Sequence, residues 1–344
     1  MSNDVVFFFR KAGYGFSIER VFHDVAESLP PEVGRREFYC AFRSAVNPMA
    51  VGWNMWTAAH AQGSVNHITG DVQYLALACA GRRTILTIHD CDVSRLTGLK
   101  REVYYRLWCR WPASWVRFVT VISEFTRHEL VQVLGRDPGN LVVIPDPVSP
   151  AFIPVIKPFC AQFPRILHLG TKPNKNLLRV AAALSGIPCH LRIIGRVDDE
   201  QKRVLAENQV NYSAVEQLDD AALVREYGEA DIVLFASTFE GFGLPIVEAQ
   251  ATGRPVVTSK VASMPEVAGE GACLVDPFDS QSIRAGLMRV LQNADYRSSL
   301  IERGFANVRR FESRRVAGKY LDLYQTIWLE NRVPGHNPSA DFTG

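Results

Sequence analysis

Two carboxylates stand eight residues apart in the second half of the chain. The segment EGFGLPIVE runs from Glu240 to Glu248 and follows a short apolar run at 232–236. Its two glycines allow the backbone to approach a ligand closely, and Pro245 suits the first turn of a helix. The free N–H groups and the dipole of a helix start attract anions and sugar hydroxyls. The spacing predicts a strand, a turn and a helix whose two acids bind a polyhydroxylated ligand, with a plain strand–turn–helix and a capping glutamate as the alternative.

Polar residues also follow predicted strands in the first half. His89 and Asp90 end the apolar run 84–88, and His67 lies with Asp71 in a second cluster of this kind. The carboxyl ends of parallel strands meet at one edge of a sheet, where ligands bind. These residues are therefore candidates for a site. The structural alternatives are a histidine that only supports the strand end and an aspartate that caps a helix.

Two further motifs carry weaker signals. The GYG segment at 13–15 follows the first predicted strand, but Ile18 occupies the third glycine position of a dinucleotide fingerprint. The DCD segment at 90–92 has the form of an Asp-x-Asp pair that could hold Mg²⁺ or Mn²⁺ beside a diphosphate.

Short apolar runs alternate with amphipathic segments, which is typical of βαβ units around parallel sheets. The predicted strands are 5–9, 38–42, 65–68, 84–88, 118–122 and 141–144, then 165–169, 190–194, 232–236, 256–259 and 273–275. Predicted helices of the first half are 17–28, 72–80, 101–111 and 124–134, and a long amphipathic helix is predicted over 313–330. Three prolines within 145–150 predict an extended linker, because proline cannot donate to a sheet ladder. We predict an α/β protein with two Rossmann-like, doubly wound parallel-sheet domains facing a central cleft.

The composition fits a globular enzyme with two domains. Its 344 residues exceed one typical domain, and 47% hydrophobic with 22% charged residues is ordinary. A net charge of +2 does not indicate a nucleic-acid partner. The seven cysteines form no C-x-x-C pair, which favours a reducing compartment and argues against a zinc site. The N-terminus lacks the pattern of a signal peptide, and no apolar run reaches the ~18 residues of a membrane span. We expect a cytoplasmic protein.

EGFGLPIVE is one of several segments that together resemble a known family. It is followed by AQATGRPVV, PEVAG and LVDPFD, and preceded by HITGDVQY, TIHD, VISEFT, VVIPDPV and LHLGTKPNKN in the family's order. The chain thus resembles the family-four retaining glycosyltransferases, which have the two-Rossmann GT-B fold and the E-x7-E pattern. The resemblance covers roughly 13–311 and identifies no single sugar.

The resemblance implies a role for each matching residue. Glu240 would contact the donor sugar, Glu248 the ribose of the nucleotide, and Lys175 the diphosphate. Thr171 stands where the family has an arginine, so either Lys172 or hydrogen bonds from Thr171 and Asn174 would supply the missing interaction. The donor-binding set implied in full is Gly13, Gly15, Thr171, Lys172, Lys175, Leu218, Gly241, Phe242, Gly243, Leu244 and Glu248. The implied catalytic set is Glu240, His89 and Asp90, and the acceptor-side set is Tyr14, His67 and Asp71.

The resemblance also implies an activity and a domain plan. A hexose, with mannose preferred, would pass from a GDP- or UDP-sugar to a glycan or lipid-linked acceptor in bacterial surface polysaccharide assembly. Neither a cofactor nor a metal is expected. Residues 1–148 would form the acceptor-side domain and 149–312 the nucleotide-sugar domain, with 313–331 a helix packed back on the first domain and 332–344 a flexible tail. The alternatives are a non-catalytic binding module, a nucleotide-sugar epimerase and a glycan phosphorylase on the same architecture.

Residues 100–117 combine basic and aromatic side chains. The basic residues are Lys100, Arg101, Arg106, Arg110 and Arg117, and the segment also contains three tryptophans and two tyrosines. Val103, Leu107 and Trp111 recur at helical spacing. This pattern suits the surface of an anionic membrane, which would bring a peripheral enzyme to a lipid-linked acceptor at the inner face of the membrane. An ordinary amphipathic helix packed on the sheet is the alternative.

Overall fold

A computed structural model describes residues 3–13, 17–43, 47–91 and 98–332, and of Lys100 only the backbone. The chain divides into two units. The first unit comprises Met1–Pro145 and Ser313–Gly344, and the second comprises Asp146–Glu312. The expected flexible tail falls, apart from residue 332, outside the described residues.

The first unit contains a six-stranded parallel sheet. Its strands are β1 (Asp4–Phe9), β2 (Gly34–Tyr39), β3 (Val65–Ile68), β4 (Thr84–Ile88), β5 (Phe118–Val121) and β6 (Leu141–Val143), in the order β2-β1-β3-β4-β5-β6. The chain leaves β1 toward β2 and then returns to the other side of β1. The carboxyl ends of β1 and β3 therefore form the switch point at which ligands bind in such sheets.

Helices and turns connect these strands. They are α1 (Ser17–Ser28), α2 (Pro48–His60), α3 (Gly98–Tyr104), α4 (Trp111–Trp115) and α5 (Glu124–Leu134), with 3₁₀ turns at Gln73–Ala78 and Gly81–Arg83. A π-helical segment, Tyr105–Arg110, joins α3 to α4. The predicted helix at 72–80 is thus the shorter 3₁₀ turn, and the one at 101–111 is a composite of three segments.

The second unit repeats the architecture with a second six-stranded parallel sheet. Its strands are β7 (Arg165–Leu169), β8 (His190–Ile194), β9 (Tyr212–Val215), β10 (Ile232–Phe235), β11 (Val256–Ser259) and β12 (Cys273–Val275), in the order β12-β11-β10-β7-β8-β9. Its helices are α6 (Leu177–Leu184), α7 (Asp199–Glu207), α8 (Asp220–Glu229), α9 (Leu244–Ala251), α10 (Met264–Ala268), α11 (Ser280–Gln292) and α12 (Ala294–Val308). The switch point of this sheet lies between β7 and β10. The two sheets confirm the predicted fold class of two Rossmann-like, doubly wound units.

The last helix, α13 (Ser313–Arg332), belongs to the first unit. Its buried face packs against α1 and β3, where Tyr320 and Tyr324 lie close to Phe22 and His67. Arg117, which precedes β5, pairs with Glu330 through two hydrogen bonds of 2.8 and 2.7 Å. The unit therefore needs residues from both ends of the chain to cover its sheet. No helix of the described residues has the length and apolar character of a membrane span.

Candidate functional site

A lysine and a glutamate from distant parts of the sequence meet at the switch point of the second unit. β7 ends at Leu169, and a 3₁₀ turn after it carries Lys175. The Lys175 ammonium lies 2.6 Å from Oε1 of Glu240, which follows β10. Asn174 Nδ2 donates to the same carboxylate at 3.3 Å and to the Phe239 carbonyl at 3.0 Å. The structure thus brings together one cation and one anion that the sequence placed 65 positions apart.

A glycine leaves room for the side chain of Lys175 to pack against the backbone of the loop after β7. Gly170 has φ +85°, and a Cβ added there would lie 2.9 Å from Cγ of Lys175. On the other side, Lys175 Nζ lies 4.8 Å from the ring centroid of Phe235, in cation–π contact. Glycine at 170 and the aromatic ring together hold the ammonium at the mouth of the sheet.

The turn between β10 and α9 presents a helix start without a side-chain cap. Gly243 occupies the N-cap position with φ +107°, a conformation that favours glycine, and it makes no side-chain cap. Pro245 stands in the first turn, as the sequence predicted. The buried Ser263 Oγ lies 2.8 Å from both the Glu240 and the Phe242 carbonyls and fixes the turn. The start of α9 therefore has no side-chain cap on its N–H groups, and it follows Glu240 of the lysine–glutamate pair by four residues.

Glu248 occupies a different environment from Glu240. Its side chain is only 2% exposed, and Tyr227 Oη donates to Oε2 at 2.5 Å. Tyr227 is itself fully buried and stands edge-on to Phe152. The two acids of EGFGLPIVE are thus not equivalent. Glu240 lies at the carboxyl edge of the sheet, whereas Glu248 is buried.

Three of the expected donor-binding residues lie in loops of the second unit. The Thr171 carbonyl accepts from Gln201 Nε2 at 2.7 Å, which ties the loop after β7 to α7. Lys172 is exposed at the start of the 3₁₀ turn, and Leu218 is partly buried between β9 and α8. Of the two lysines in this loop, Lys175 rather than Lys172 contacts Glu240.

Buried polar residues that the sequence analysis did not identify lie next to the lysine–glutamate pair. Asn176 has φ +65°, and its buried side chain donates to the Ala236 and Pro277 carbonyls. His168 in β7 is fully buried, and burial lowers its pKa to about 4. His168 Nε2 and Ser237 Oγ are buried without a hydrogen-bond partner among the described residues. A histidine inside an apolar strand and an asparagine after a lysine were the only sequence signals for them.

In the first unit, three chain segments meet at the carboxyl edge of the sheet. His89 follows β4, and its Nε2 lies 2.8 Å from the Thr69 carbonyl. Gly70 has φ +129°, and a Cβ there would lie 2.5 Å from His89 Cδ2, so only glycine fits. Asp90 is exposed beside it. Gly13 follows β1 with φ +78°, and no atom of the described residues lies within 4 Å of a Cβ added there. Tyr14, Gly15 and the Asp-x-Asp residue Asp92 lie outside the described residues.

Asp71 forms an ion pair rather than a helix cap. It has φ +61°, and its carboxylate contacts Arg10, which also binds Glu19 at 2.8 Å. The following 3₁₀ turn begins with Val72 as N-cap and has no side-chain cap. Asp71 is half exposed, so its carboxylate remains open at the same edge as His89.

The structure corrects the expectation that His67 contacts an acceptor. The side chain is fully buried inside β3, and its two ring nitrogens lie 2.7 Å from Tyr324 Oη and 2.9 Å from Thr87 Oγ1. Burial, with His89 nearby, lowers the pKa of His67 to about 3. Both nitrogens are satisfied and no face is open, so His67 is a neutral core histidine that joins β3 to α13.

The basic and aromatic segment 100–117 separates into a buried and an exposed face. Trp108 is buried and stacks on Tyr104, with ring centroids 5.4 Å apart. Val103, Trp111 and Trp115 are 45%, 54% and 55% exposed. The predicted apolar stripe therefore does not pack wholly on the sheet, since two of its three members face outward.

The two arginines one turn apart share a carboxylate. Arg106 Nε donates to Glu102 at 3.0 Å, and Arg110 Nη1 donates to the same oxygen at 2.5 Å. Arg110 Nε also donates to the Val133 carbonyl at 2.9 Å, which ties the segment to α5. Arg106 is therefore the more available of the two for an external anion.

Both units match profiles of sugar-transferring enzymes. Residues 4–152 match the family described as Glycosyltransferase Family 4, and residues 166–306 match the family described as Glycosyl transferases group 1. The first match ends seven residues beyond Pro145, the end of the first unit's N-terminal part, and the second match lies within the second unit.

Individual relatives are similar over most of their length. The chain is 28% identical over 277 residues to the O-antigen chain mannosyltransferase B of Escherichia coli, a match that covers 71% of each chain. It is 29% identical over 267 residues to the phosphatidyl-myo-inositol mannosyltransferase of Mycobacterium leprae, covering 73% of this chain and 69% of that one. Among solved structures, Anabaena Alr3699/HepE in complex with UDP and glucose matches with a TM-score of 0.76 and 15% identity, covering 94% of this chain and 99% of that one. The last similarity shows the fold.

Proposed function

This chain belongs to the glycosyltransferases of the two-Rossmann GT-B class, and on that premise we propose that it transfers a hexose from a nucleotide diphosphate sugar to a glycan or lipid-linked acceptor. The single observation that carries the proposal is the contact between Lys175 and Glu240 beside the uncapped start of α9. A cation and free helix N–H groups suit a diphosphate, and a carboxylate accepts hydrogen bonds from sugar hydroxyls.

The proposed roles of the two carboxylates come from the family resemblance, and their different surroundings support this division. Glu240 lies at the mouth of the sheet and contacts the donor sugar. Glu248 is buried against Tyr227, so a ribose hydroxyl that binds it must share or replace the hydrogen bond of the tyrosine. The amides of Gly241, Phe242, Gly243 and Leu244 line the diphosphate, and His89 and Asp90 are the proposed catalytic residues of the first unit.

The charge that develops on the leaving diphosphate is stabilised by fixed groups. Lys175 and the N-terminus of α9 act where phosphate oxygens gain charge, so the reaction needs no metal and no cofactor. Configuration at the anomeric carbon is retained. Retaining hydrolases use a carboxylate nucleophile, whereas here the departing phosphate accepts the proton of the acceptor hydroxyl on the same face of the sugar.

Relatives favour mannose as the sugar. The E. coli and M. leprae proteins named above are mannosyltransferases, and both names describe acceptors that are glycans or lipids. GDP-mannose is therefore the proposed donor, and a UDP-sugar is the alternative because Alr3699/HepE was solved with UDP. The proposed setting is surface polysaccharide or lipopolysaccharide assembly at the cytoplasmic face of a membrane.

A thermal-shift panel of nucleoside diphosphates and their sugars tests the proposal. A ligand that binds only the folded chain raises its stability by about 2.7 kcal/mol at 100 times its Kd. We expect GDP and GDP-mannose to stabilise most, and GDP-mannose to be consumed when a mannan or a lipid-linked glycan is added. Stabilisation without any turnover would indicate a binding module, and a new nucleotide sugar formed without acceptor would indicate an epimerase.

A further inference from the structure

A cavity of about 540 Å³ lies in the first unit, at the amino ends of the strands. It is lined by residues that precede three strands, namely Asn3 before β1, Ser64 before β3 and Gly81–Arg83 before β4, together with Trp115 and the end of α13. His89 follows β4, so the length of that strand, ~17 Å at about 3.3 Å per residue, separates the cavity from the candidate site. The volume falls within the range of ~300–1,000 Å³ that is usual for small-molecule sites.

Three arginines line this cavity, and two of them have no anion. Arg82 and Arg83 make no hydrogen bond or ion pair within the described part of the chain, and Arg83 is partly buried. Arg332 donates to Asn3 Oδ1 at 2.6 Å, which is a neutral partner. Arg82 and Arg332 are exposed and Arg83 is partly buried, so three guanidinium groups face the cavity without a carboxylate partner among the described residues, and such a lining favours an anionic occupant.

The acids on neighbouring elements already have their own partners. Asp4 accepts from Arg36 at 2.8 Å, and Glu330 binds Arg117. The positive charge of Arg82 and Arg83 is therefore not cancelled by the carboxylates that lie nearest along β1 and α13.

Two indole rings supply the rest of the lining. Trp328 is 7% exposed, and its Nε1 donates to Ser64 Oγ at 3.0 Å. Trp115 is 55% exposed, and its Nε1 donates to the Cys79 carbonyl at 3.0 Å. Both indole N–H groups are thus satisfied, and what the rings offer a ligand is apolar surface that suits a planar or hydrocarbon group.

We propose that this cavity, which the sugar-transfer reaction does not use, is a second binding site for a phosphate ester whose organic part is planar or apolar. The phosphate lies against Arg82, Arg83 and Arg332, because guanidinium groups bind phosphate through paired, charge-assisted hydrogen bonds. The organic part lies against Trp115 and Trp328. Such an ester is either a soluble phosphate or the head of an anionic lipid, and the two sources share this chemistry.

Isothermal titration with 1-naphthyl phosphate tests the site in the full chain. We expect saturable binding of the ester, weaker binding of inorganic phosphate and none of 1-naphthol. Arg82→Glu/Arg83→Glu should weaken ester binding about tenfold or more, because it removes two guanidinium partners of the phosphate and replaces them with repelling carboxylates. Arg82→Gln/Arg83→Gln removes the charges without reversing them. It should also weaken ester binding, and its melting temperature should be that of the parent.

A matched charge reversal on the second unit is the control. Lys202→Glu/Arg203→Glu changes two exposed side chains of α7 by the same net charge and should leave ester binding as in the parent. Lys175→Ala should leave it unchanged as well. The proposal is overturned if the parent does not bind the ester, if both arginine variants bind it normally, or if Lys175→Ala alone abolishes binding, since the ester would then occupy the donor site.

Vesicles identify the source of the phosphate. Liposomes that contain phosphatidic acid are compared with liposomes of phosphatidylcholine alone. If Arg82→Gln/Arg83→Gln loses ester binding and also loses binding to phosphatidic acid vesicles, the site takes a lipid head. If it loses ester binding alone, the site takes a soluble phosphate. Both results depend on the ester and not on sugar transfer, so the proposed activity can fail without affecting them.

Discussion

Glu240 and Lys175 form an ion pair of 2.6 Å, but the proposal gives them different targets, the sugar for Glu240 and the diphosphate for Lys175. We expect Glu240→Gln to lower kcat by about a hundredfold or more, because the carboxylate acts on the sugar as the transition state forms. Affinity for the free nucleoside diphosphate should change little, since the ammonium remains. Calorimetric titration of GDP together with steady-state kinetics checks both values.

Glu248→Ala is the matched comparison within the same motif. It should weaken nucleotide binding first, because the proposed partner of Glu248 is the ribose. The substitution also leaves Tyr227 Oη without its carboxylate in a buried position, so Glu248→Gln serves as the variant that keeps an acceptor there. An equal loss of GDP affinity in Glu240→Gln and Glu248→Gln would contradict the assigned roles.

The proposal that the reaction needs no metal depends on the positive charge of Lys175. Lys175→Ala should cost about 2–4 kcal/mol of transition-state stabilisation, measured as a fall in kcat/KM. Turnover by the unaltered enzyme should persist in EDTA. Loss of activity on chelation, with recovery on adding Mn²⁺, would instead make Asp90 and Asp92 metal ligands.

Buried His67 makes the stability of the chain depend on pH. Its pKa falls from 6.5 to about 3 on folding, so the unfolded chain binds one more proton between these values. Stability is therefore retained above pH ~6.5 and falls as the pH drops toward ~3, by about 2 kcal/mol at pH 5 from this group. Urea unfolding of His67→Gln should show a pH dependence reduced by one proton. Thr87→Val removes a hydrogen-bond partner of His67 but keeps the imidazole, so the pH dependence of its stability should match that of the parent. If His67→Gln showed the pH dependence of the parent, the assignment of this dependence to His67 would be wrong.

His67 also shows where sequence reasoning at the level of residues ends. A histidine in the apolar run VNHI was compatible with a strand end and with a strand interior, and only the position of Tyr324, 257 residues later, distinguishes them. The approach of Lys175 to Glu240 depends on the order in which β7 and β10 lie in the sheet. The family resemblance implied a role for each of the two charges, but their mutual contact is a property of the topology.

At the scale of elements, the exposed face of 100–117 predicts membrane binding. Arg101 and Arg106 are exposed beside Val103 and Trp111, whereas Arg110 is held by Glu102 and Val133. Arg101→Glu/Arg106→Glu should weaken binding to anionic liposomes by about thirtyfold or more, because each of the two basic side chains near the surface contributes ~1 kcal/mol. Flotation at low and high salt measures this loss.

Trp111→Ser tests the apolar half of the same face, and Lys202→Glu/Arg203→Glu on α7 provides the charge control. We expect the serine variant to float less at every salt concentration and the control to float as the parent does. Flotation that is absent at low salt, or equal in the parent and in Arg101→Glu/Arg106→Glu, would leave the segment as an ordinary surface helix.

The strands and helices that were not predicted from the sequence, or were predicted with other bounds, have side chains that are only partly buried. β9, with the sequence YSAV, is an edge strand with no fully buried residue, so it lacks the apolar run that marks a central strand. β2 runs from Gly34 to Tyr39 rather than over 38–42, because its polar first half pairs with β1 while facing solvent. α2 was not predicted because its large apolar residues Met49, Trp53 and Trp56 are exposed and define no inward stripe. Central strands were predicted well because both of their faces are buried.

At the scale of the whole molecule, the alternation of strands and helices was enough to predict two doubly wound sheets. Each sheet has six parallel strands and a single reversal of strand order, which is what the repeated βαβ rhythm requires. The rhythm alone could not assign residues 313–332 to the first unit, because an amphipathic helix packs on any apolar face. Tyr320 and Tyr324 of α13 pack against Phe22 of α1 and His67 of β3, and these contacts exist only in the folded chain.

The placement of α13 has a consequence for the order in which a ribosome delivers the chain. All six strands of the first sheet emerge before residue 146, but the helix that covers Phe22 and His67 emerges only after the entire second unit. Within the second unit, Val148 N donates to the Phe311 carbonyl at 2.8 Å, so its two ends lie side by side and it is complete in itself. During synthesis the second unit can therefore fold completely before α13 is made. Until then the aromatic face of the first sheet is not covered. A nascent chain released before residue 313 would expose that face to chaperones.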